Sequence, residues 1–327
     1  MNLFLTYDYE LFFGKPAGSV EKCIIEPTNK LIALAEKHRI GFTYFVDVGY
    51  LIALEKYMKE FPALTSDYEL VVNQIHRLLS LGNDVQLHIH PHWEASYYDG
   101  KEWVMLVDGY YKLSDFSDED AQKIITTYKA TLEEIINRKV HSFRAGGWCL
   151  QPFSQVKDVF KNEGIKFDST VFQGGYFETK HYYFDFRNAP NKGKYRFEDD
   201  LCVENDSGYF TEYPIGGWYY NPLFYWNLYV RGRLNPKDHK MIGDGNYVPQ
   251  PGRKWKNLTQ PNWNHVSSDG YFTQKLKKIT KSYAKKGRTD MVIIGHPKCL
   301  TNYGLQKLDE YIAFAKKKHR FKTFIDL

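Results

Sequence analysis

The sequence predicts an α/β fold, a parallel sheet covered by helices and closed or nearly closed into a barrel, with loop-rich insertions at one end. Three observations carry this. Short apolar, β-compatible runs alternate with helical patterns along almost all of the 327 residues. A polar cluster follows several of the runs, and in βα barrels functional groups gather where the strands end. From about 172 to 265 the alternation gives way to aromatics interleaved with Gly, Asn, Asp and Pro, too apolar for a linker and therefore an insertion. The length suits a single barrel domain over 1–327, and no internal repeat is visible.

Leu3-Phe4-Leu5-Thr6 is the first strand. Pro27 opens a helix in which Leu31, Leu34, Ala35 and His38 recur at helical spacing. Phe42 to Val46 is the second strand, and Val71, Ile75, Leu78 and Leu79 mark a helix stopped by Gly82. Asp84-Val85-Gln86-Leu87 reads as a buried strand. Ser117 with Asp120 forms a capping box ahead of the stripe Ala121, Ile125, Tyr128, Leu132, Ile135. Strands follow at Val140 to Phe143 and Ile165 to Phe167, with a short helix at about 152–163 between them, and a further strand is expected at 208–211. After the irregular stretch come a lysine-rich helix (about 268–286), the strand Met291 to Ile294, a helix with Leu305, Leu308, Ile312 and Ala315, and a last strand at Phe321 to Ile325.

Composition removes several function classes. The 43% hydrophobic and 25% charged residues are ordinary for a soluble globular protein. A net charge of +5 without a basic arm excludes nucleic acid as the expected partner. The absence of an 18–20-residue apolar run excludes an integral membrane segment. Met1 to Thr6 has no charged leader, and Asp8 and Glu10 interrupt the apolar run, so the expected location is cytoplasmic. The scattered Cys23, Cys149, Cys202 and Cys299 are expected as free thiols. Aromatics at 17% fit a sugar-stacking surface or a large aromatic core. Lys275, Lys277, Lys278, Lys281, Lys285, Lys286 and Arg288 make either a solvated basic face or a contact for an anionic membrane or a diphosphate-linked sugar.

The most informative stretch is His88-Ile89-His90-Pro91-His92-Trp93. Three imidazoles at a strand end suit a metal, because neutral imidazole is a common ligand of zinc-like ions. Other strand-end clusters are Asp8-Tyr9-Glu10, Arg144 to Trp148, Glu212 to Trp218, and Gly295-His296-Pro297. Two imidazoles and a carboxylate leave coordination positions open, which suits hydrolysis; a second carboxylate can act as base and a separate histidine as acid. Asp8 and Glu10 share a face of an extended strand, so one can be the base and the other a ligand.

In this ordered set the chain resembles the polysaccharide deacetylases, the NodB-homology or carbohydrate esterase family 4 enzymes. Their Thr-Phe-Asp-Asp is here Thr6-Tyr7-Asp8-Tyr9, their His-x-x-x-His is His88 to His92, their arginine element is Arg144 to Trp148, and their Leu-x-His is Ile294-Gly295-His296. The resemblance spans residues 3 to about 300 and implies a distorted (β/α)7-type barrel and metal-dependent N-deacetylation of an acetamido sugar. That sugar is expected to be nucleotide- or lipid-linked, in capsule, lipopolysaccharide or other surface-glycan biosynthesis. It implies Asp8 as general base, Arg144 as its orienting cation, His296 as general acid, and His88 and His92 as ligands of a divalent metal, zinc or else Co, Ni, Mn or Fe. Tyr9 stands where the family has its metal-binding second Asp, and that role moves to Glu10. Substrate contacts are expected from His90, Trp93, Gly146, Gly147, Trp148 and Trp218, with Glu212 and Trp218 standing in for the family's Asp-Trp element. Two rival readings are an amidohydrolase-type enzyme using His88 and His90, and a carbohydrate-binding pseudoenzyme.

Overall fold

The computed structural model describes residues 1–250 and 252–327. Along the chain β1 (Asn2–Tyr9) is followed by α1 (Glu26–His38), β2 (Thr43–Asp47), α2 (Val48–Tyr57), α3 (Ala63–Ser80) and β3 (Asp84–Ile89). A hairpin of β4 (Tyr97–Tyr98) and β5 (Trp103–Val104) leads to α4 (Asp118–Ile136), β6 (Ser142–Ala145), α5 (Lys157–Asn162) and β7 (Phe167–Asp168). The aromatic-rich stretch holds the hairpin β8 (Tyr176–Glu178) and β9 (Tyr183–Asp185), then β10 (Tyr195–Phe197), β11 (Phe210–Glu212), β12 (Gly217–Tyr220), α6 (Pro222–Leu234), α7 (Pro236–His239), α8 (Arg253–Thr259) and β13 (Asn262–His265). The chain finishes with α9 (Leu276–Lys285), β14 (Asp290–Gly295), α10 (Asn302–Ala315) and β15 (Arg320–Phe321).

The main sheet has the order β10-β11-β7-β6-β3-β2-β1-β14, with β15 also on β1. From β11 to β14 seven strands run parallel, and β10 adds antiparallel at the edge. The sheet curls until its two ends face each other. Ile215 bridges that gap, pairing with Val292 of β14 on one side and Phe172 on the other. This is the distorted barrel that the resemblance implies.

Strand periodicity sorts the side chains. On β1 the odd residues Leu3, Leu5, Tyr7 and Tyr9 join the large core beneath the helices. Phe4 turns inward with Phe45, Tyr213, Ile215, Val292 and Ile294, and Phe324 plugs this floor from below. Thr6, Asp8 and Glu10 continue the inward row above it.

Several elements differ from expectation for identifiable reasons. β3 runs on to Ile89, placing His88 inside the strand; it stops ahead of Pro91, which has no N–H to give the ladder. The expected strand at Phe321 to Ile325 survives only as Arg320–Phe321. Beyond it Thr323 N–H donates to Asp326 Oδ2 at 2.8 Å, closing a turn that drives Phe324 into the barrel. The lysine-rich helix begins only at Leu276, because Gly270, at φ 43°, opens a 3-10 segment. The helices α2 and α6 had no amphipathic stripe to reveal them, being apolar on several sides.

Candidate active site

Arg144 lies at the centre of the barrel mouth and is fully buried. Its guanidinium sits 4.2 Å above the Phe45 ring, on the apolar floor. Nη1 donates to Asp8 Oδ1 at 2.6 Å, Nη2 to Thr6 Oγ1 at 2.9 Å and Ser169 Oγ at 3.0 Å, and Nε to the Ser169 carbonyl at 2.9 Å. Burial by itself would raise the Asp8 carboxyl; Arg144, then His88 and His296, outweigh it and hold Asp8 below the usual carboxylate range.

One step further out are Glu10, His88 and His90. His88 and His90 are two apart on β3 and its end, so both rings enter the barrel. His88 Nε2 is 3.1 Å from Glu10 Oε2 and His90 Nε2 is 2.7 Å from the same oxygen. The other carboxylate oxygen, Oε1, accepts from Lys298 Nζ at 2.8 Å. Burial pushes the Glu10 carboxyl upward, but Lys298, His90 and His88 bring it well below its ordinary value. His88 Nδ1 lies 2.8 Å from the Arg144 carbonyl, an acceptor that fixes Nδ1 as the protonated nitrogen and frees Nε2.

These three residues offer ligand atoms within 4.8 Å of one another. A carboxylate oxygen and two imidazole nitrogens, all buried, with Lys298 on the far oxygen of Glu10 and the Arg144 carbonyl on the far nitrogen of His88, fit a zinc-like divalent cation. Gly146 makes this approach possible, since a Cβ there would come 2.5 Å from His90 Nδ1.

His92 does not join the group. The turn after Pro91 carries it off the strand face, where it packs beside Phe13 with Nδ1 3.2 Å from Ser96 Oγ. Burial, with His90 alongside, holds its imidazole well below the ordinary histidine value, and its Nε2 has no hydrogen-bond partner among the described residues. Geometrically the third donor is therefore His90, not His92.

Opposite the acids stands His296, whose Nε2 is 3.7 Å from Asp8 Oδ2 and 3.9 Å from Glu10 Oε1. Asp269 holds it: Oδ1 accepts the His296 backbone N–H at 2.7 Å and Oδ2 is 2.9 Å from Nδ1. Burial works against the charged imidazole, and Asp269, with Asp8 and Glu10 behind it, outweighs burial and raises His296. Cys299 lies within reach of the Asp269–His296 pair, but burial pushes its thiol well up, so it stays neutral against Tyr247 Oη at 2.7 Å. The His296 side chain is 18% exposed while those of Asp8, Glu10, His88 and His90 are buried, so the site opens at His296.

The remaining expected residues are spread around this centre. Gly147, at φ 57°, has Tyr111 and Tyr182 too close for any Cβ. Trp148 packs with its ring 5.2 Å from His265 and 5.5 Å from Phe184. Trp93 is buried and donates from Nε1 to Asp47 Oδ2 at 2.7 Å, so it supports the site from behind. Trp218 borders a cavity of about 340 Å3 on the far side of the β12–β13 ribbon. Glu212 faces away from Tyr213 and the barrel interior; it pairs with Asp168, and burial with that neighbouring charge pushes its carboxyl well up. The acid that supports His296 is Asp269.

Three residues were not singled out from the sequence: Asp269, Lys298 and Asp47. Asp47 ends β2 as Asp8 and His88 lie near the ends of theirs, and burial raises its carboxyl to about 6. Strand-end position was the signal that could have found it.

No known protein family matches the sequence, and no curated protein does. Solved structures do match. A chain described as a probable polysaccharide deacetylase from Pseudomonas aeruginosa PAO1 aligns at a TM-score of 0.51 and 12% identity, covering 99% of this chain and 88% of that one. PuuE allantoinase aligns at a TM-score of 0.53 and 11% identity, covering 99% and 87%. The likeness is one of fold: the chain has the distorted barrel of the polysaccharide deacetylase type.

Proposed function

We propose that the protein is a metal-dependent N-deacetylase of an acetamido sugar carried on a nucleotide or lipid phosphate, serving surface-glycan synthesis. The observation that carries the reading is the juxtaposition of three functional groups of side chains in one barrel mouth. These are Asp8 on Arg144, Glu10 facing His88 and His90, and His296 on Asp269.

A divalent cation, zinc being the best match to the donor set, would be held by Glu10, His88 and His90, where it would supply a polarised carbonyl and an acidified water. The protein's own groups do the rest. Lys298 occupies one oxygen of Glu10 and so turns the other toward the imidazoles. Asp8, kept ionised by Arg144, accepts the proton of the attacking water. His296, kept protonated by Asp269, donates from Nε2 to the departing amine, and acetate leaves. The half-buried rings of Trp148 and His265, packed together beside the mouth, shield one flank from water.

The carrier phosphate is supported by the cavity beyond the β12–β13 ribbon. Lys278 and Ser282 on α9 and Lys286 just past its end line it at four-residue steps, opposite Tyr219 and Trp263, and none of its lining residues is acidic. Arg288 in its wall is held by neutral acceptors, among them Gln173 Oε1 at 2.6 Å, and stacks 4.3 Å from the Tyr283 ring centre. A half-buried guanidinium without a counter-charge, facing aromatic rings, suits a phosphate next to a planar or sugar ring.

The test combines bound-metal analysis with acetate release from free, nucleotide-linked and lipid-linked acetamido sugars. Wild type should bind one divalent ion and release acetate. Asp8→Asn should keep the metal and lose at least 100-fold in rate. His90→Ala should lose the metal while His92→Ala keeps it. A metal-loaded wild type that releases no acyl group from any of these substrates sinks the proposal, and metal loss in His92→Ala alone overturns the ligand assignment.

A further inference from the structure

The helix α6 is apolar on two opposite sides. Phe224 and Tyr225 are buried, packing with Leu258, Tyr271 and Phe272. On the other side Leu223 is 66% exposed, Trp226 51%, Val230 45% and Leu234 80%. These positions recur every three or four residues and so share one face. Trp226 Nε1 donates to the Leu258 carbonyl at 3.1 Å, which fastens α8 alongside, and α8 adds Trp255, 71% exposed. A helix apolar all round is normally covered, and a patch of large exposed side chains of this kind marks an interaction surface.

The charge around the patch says what covers it. Residues 219–260 contain Arg231, Arg233, Lys237, Lys240, Arg253, Lys254 and Lys256 against only Asp238 and Asp244, an excess equal to the +5 of the whole chain. Neither acid answers these cations. Asp238 accepts from the Asn235 side chain at 2.6 Å, and Asp244 is turned to Ser19, whose backbone N–H and hydroxyl both donate to it at 2.8 Å. No helix among the described residues is long and apolar enough to cross a membrane. Leucine, valine and tryptophan on one helix face, rimmed by arginine and lysine, is instead the chemistry of a surface that rests in the headgroup layer.

We propose that the α6–α8 face docks the protein on an anionic phospholipid bilayer, with Leu223, Trp226, Val230, Leu234 and Trp255 entering the interface and the arginines and lysines meeting lipid phosphates. This goes beyond the deacetylase reading and does not rest on it. α6 follows directly from β12, so docking also sets the Trp218–Tyr219 edge of the cationic cavity close to the headgroup layer.

Flotation of the full chain with vesicles tests it without any activity assay. Wild type should float with vesicles of phosphatidylcholine containing roughly a third phosphatidylglycerol, and far less with phosphatidylcholine alone or at high salt. Leu234→Ser with Trp255→Ser should lower the partition coefficient more than tenfold while the circular dichroism stays that of wild type. Arg231→Gln, Arg233→Gln and Lys254→Gln together leave the apolar face intact and should abolish the preference for anionic vesicles. The proposal is overturned if wild type ignores anionic vesicles or if both variants float as wild type does. It is equally overturned if light scattering shows a vesicle-free dimer that the Leu234→Ser/Trp255→Ser variant splits, because the face would then join two copies of the chain.

Discussion

Replacing Arg144 by methionine should be among the most damaging changes in the molecule, and the reason lies in what it leaves behind. Arg144 is buried, its 2.6 Å bond to Asp8 joins two charges with almost no water around them, and among the described residues Asp8 has no other cation that close. Breaking such a pair from one side leaves an uncompensated carboxylate and costs about 3–5 kcal/mol. Asp8→Asn is milder, since its amide oxygen still accepts from Nη1 while Thr6 and Ser169 keep the rest of the guanidinium; a cost of about 1–3 kcal/mol is expected. In the double variant no buried charge remains unpaired, so its loss should fall short of the sum of the single losses by roughly 2 kcal/mol. Urea denaturation of the three variants and wild type, followed by far-ultraviolet circular dichroism in chelator, measures this cycle. If the single losses simply add to within about 0.5 kcal/mol, Arg144 and Asp8 are not energetically coupled and the account of the barrel centre is wrong.

Three further outcomes follow from the same geometry. Gly146→Ala would set a Cβ 2.5 Å from His90 Nδ1, so the ring must move; zinc affinity by titration calorimetry should fall about 10–100-fold although no donor is removed. Asp269→Asn should lower the rate of acetate release by ~10² with bound metal unchanged, because it frees the ring of His296 without touching Glu10, His88 or His90. Asp84 is buried among Thr43, Gln86 and Ile325, and burial raises its carboxyl from 3.8 to about 6. A carboxyl raised by folding contributes stability that is complete below pH 3.8 and lost as pH rises through about 6, a change of about 3 kcal/mol at 1.36 kcal/mol per unit. Denaturation midpoints between pH 4 and 7 should show that decline, and Asp84→Asn should flatten it.

Much of the barrel was legible because its strands bury both faces and are punctuated by Gly, Pro and polar clusters. Asp8, Arg144 and His296 stood out for the same reason, each lying near the end of an apolar run, and the structure brings them together. The choice between His90 and His92 turned on a boundary. With the strand ending at Leu87 a four-residue spacing looks natural; with the strand running to Ile89 the two-residue alternation delivers His90 instead. Asp269 could not be read, because Val266 to Ser268 pairs with β14 through isolated bonds and has no ladder to mark it as a strand. α6 was hidden among aromatics that gave it no single apolar stripe, although Asn221 caps it by accepting the Phe224 N–H at 2.9 Å.

The place of β1 in the sheet also sets an order of events in folding. It lies between β2 and β14, and its pairing with β14 joins Asn2 to Asp290 and Thr6 to Ile294. During synthesis one edge of β1 therefore stays open until β14 is made, roughly 280 residues later, ~15–60 s at 5–20 residues per second. Thr6, Asp8 and Glu10 ride on that strand, whereas His296, Lys298 and the Phe324 plug come at the far end. Asp8 and Glu10 can thus meet Arg144, His88 and His90 midway through synthesis but must wait far longer for His296 and Lys298. A chain stalled before residue 290 would expose an unpaired strand edge along β1, so loss of the late segments should show up first as aggregation.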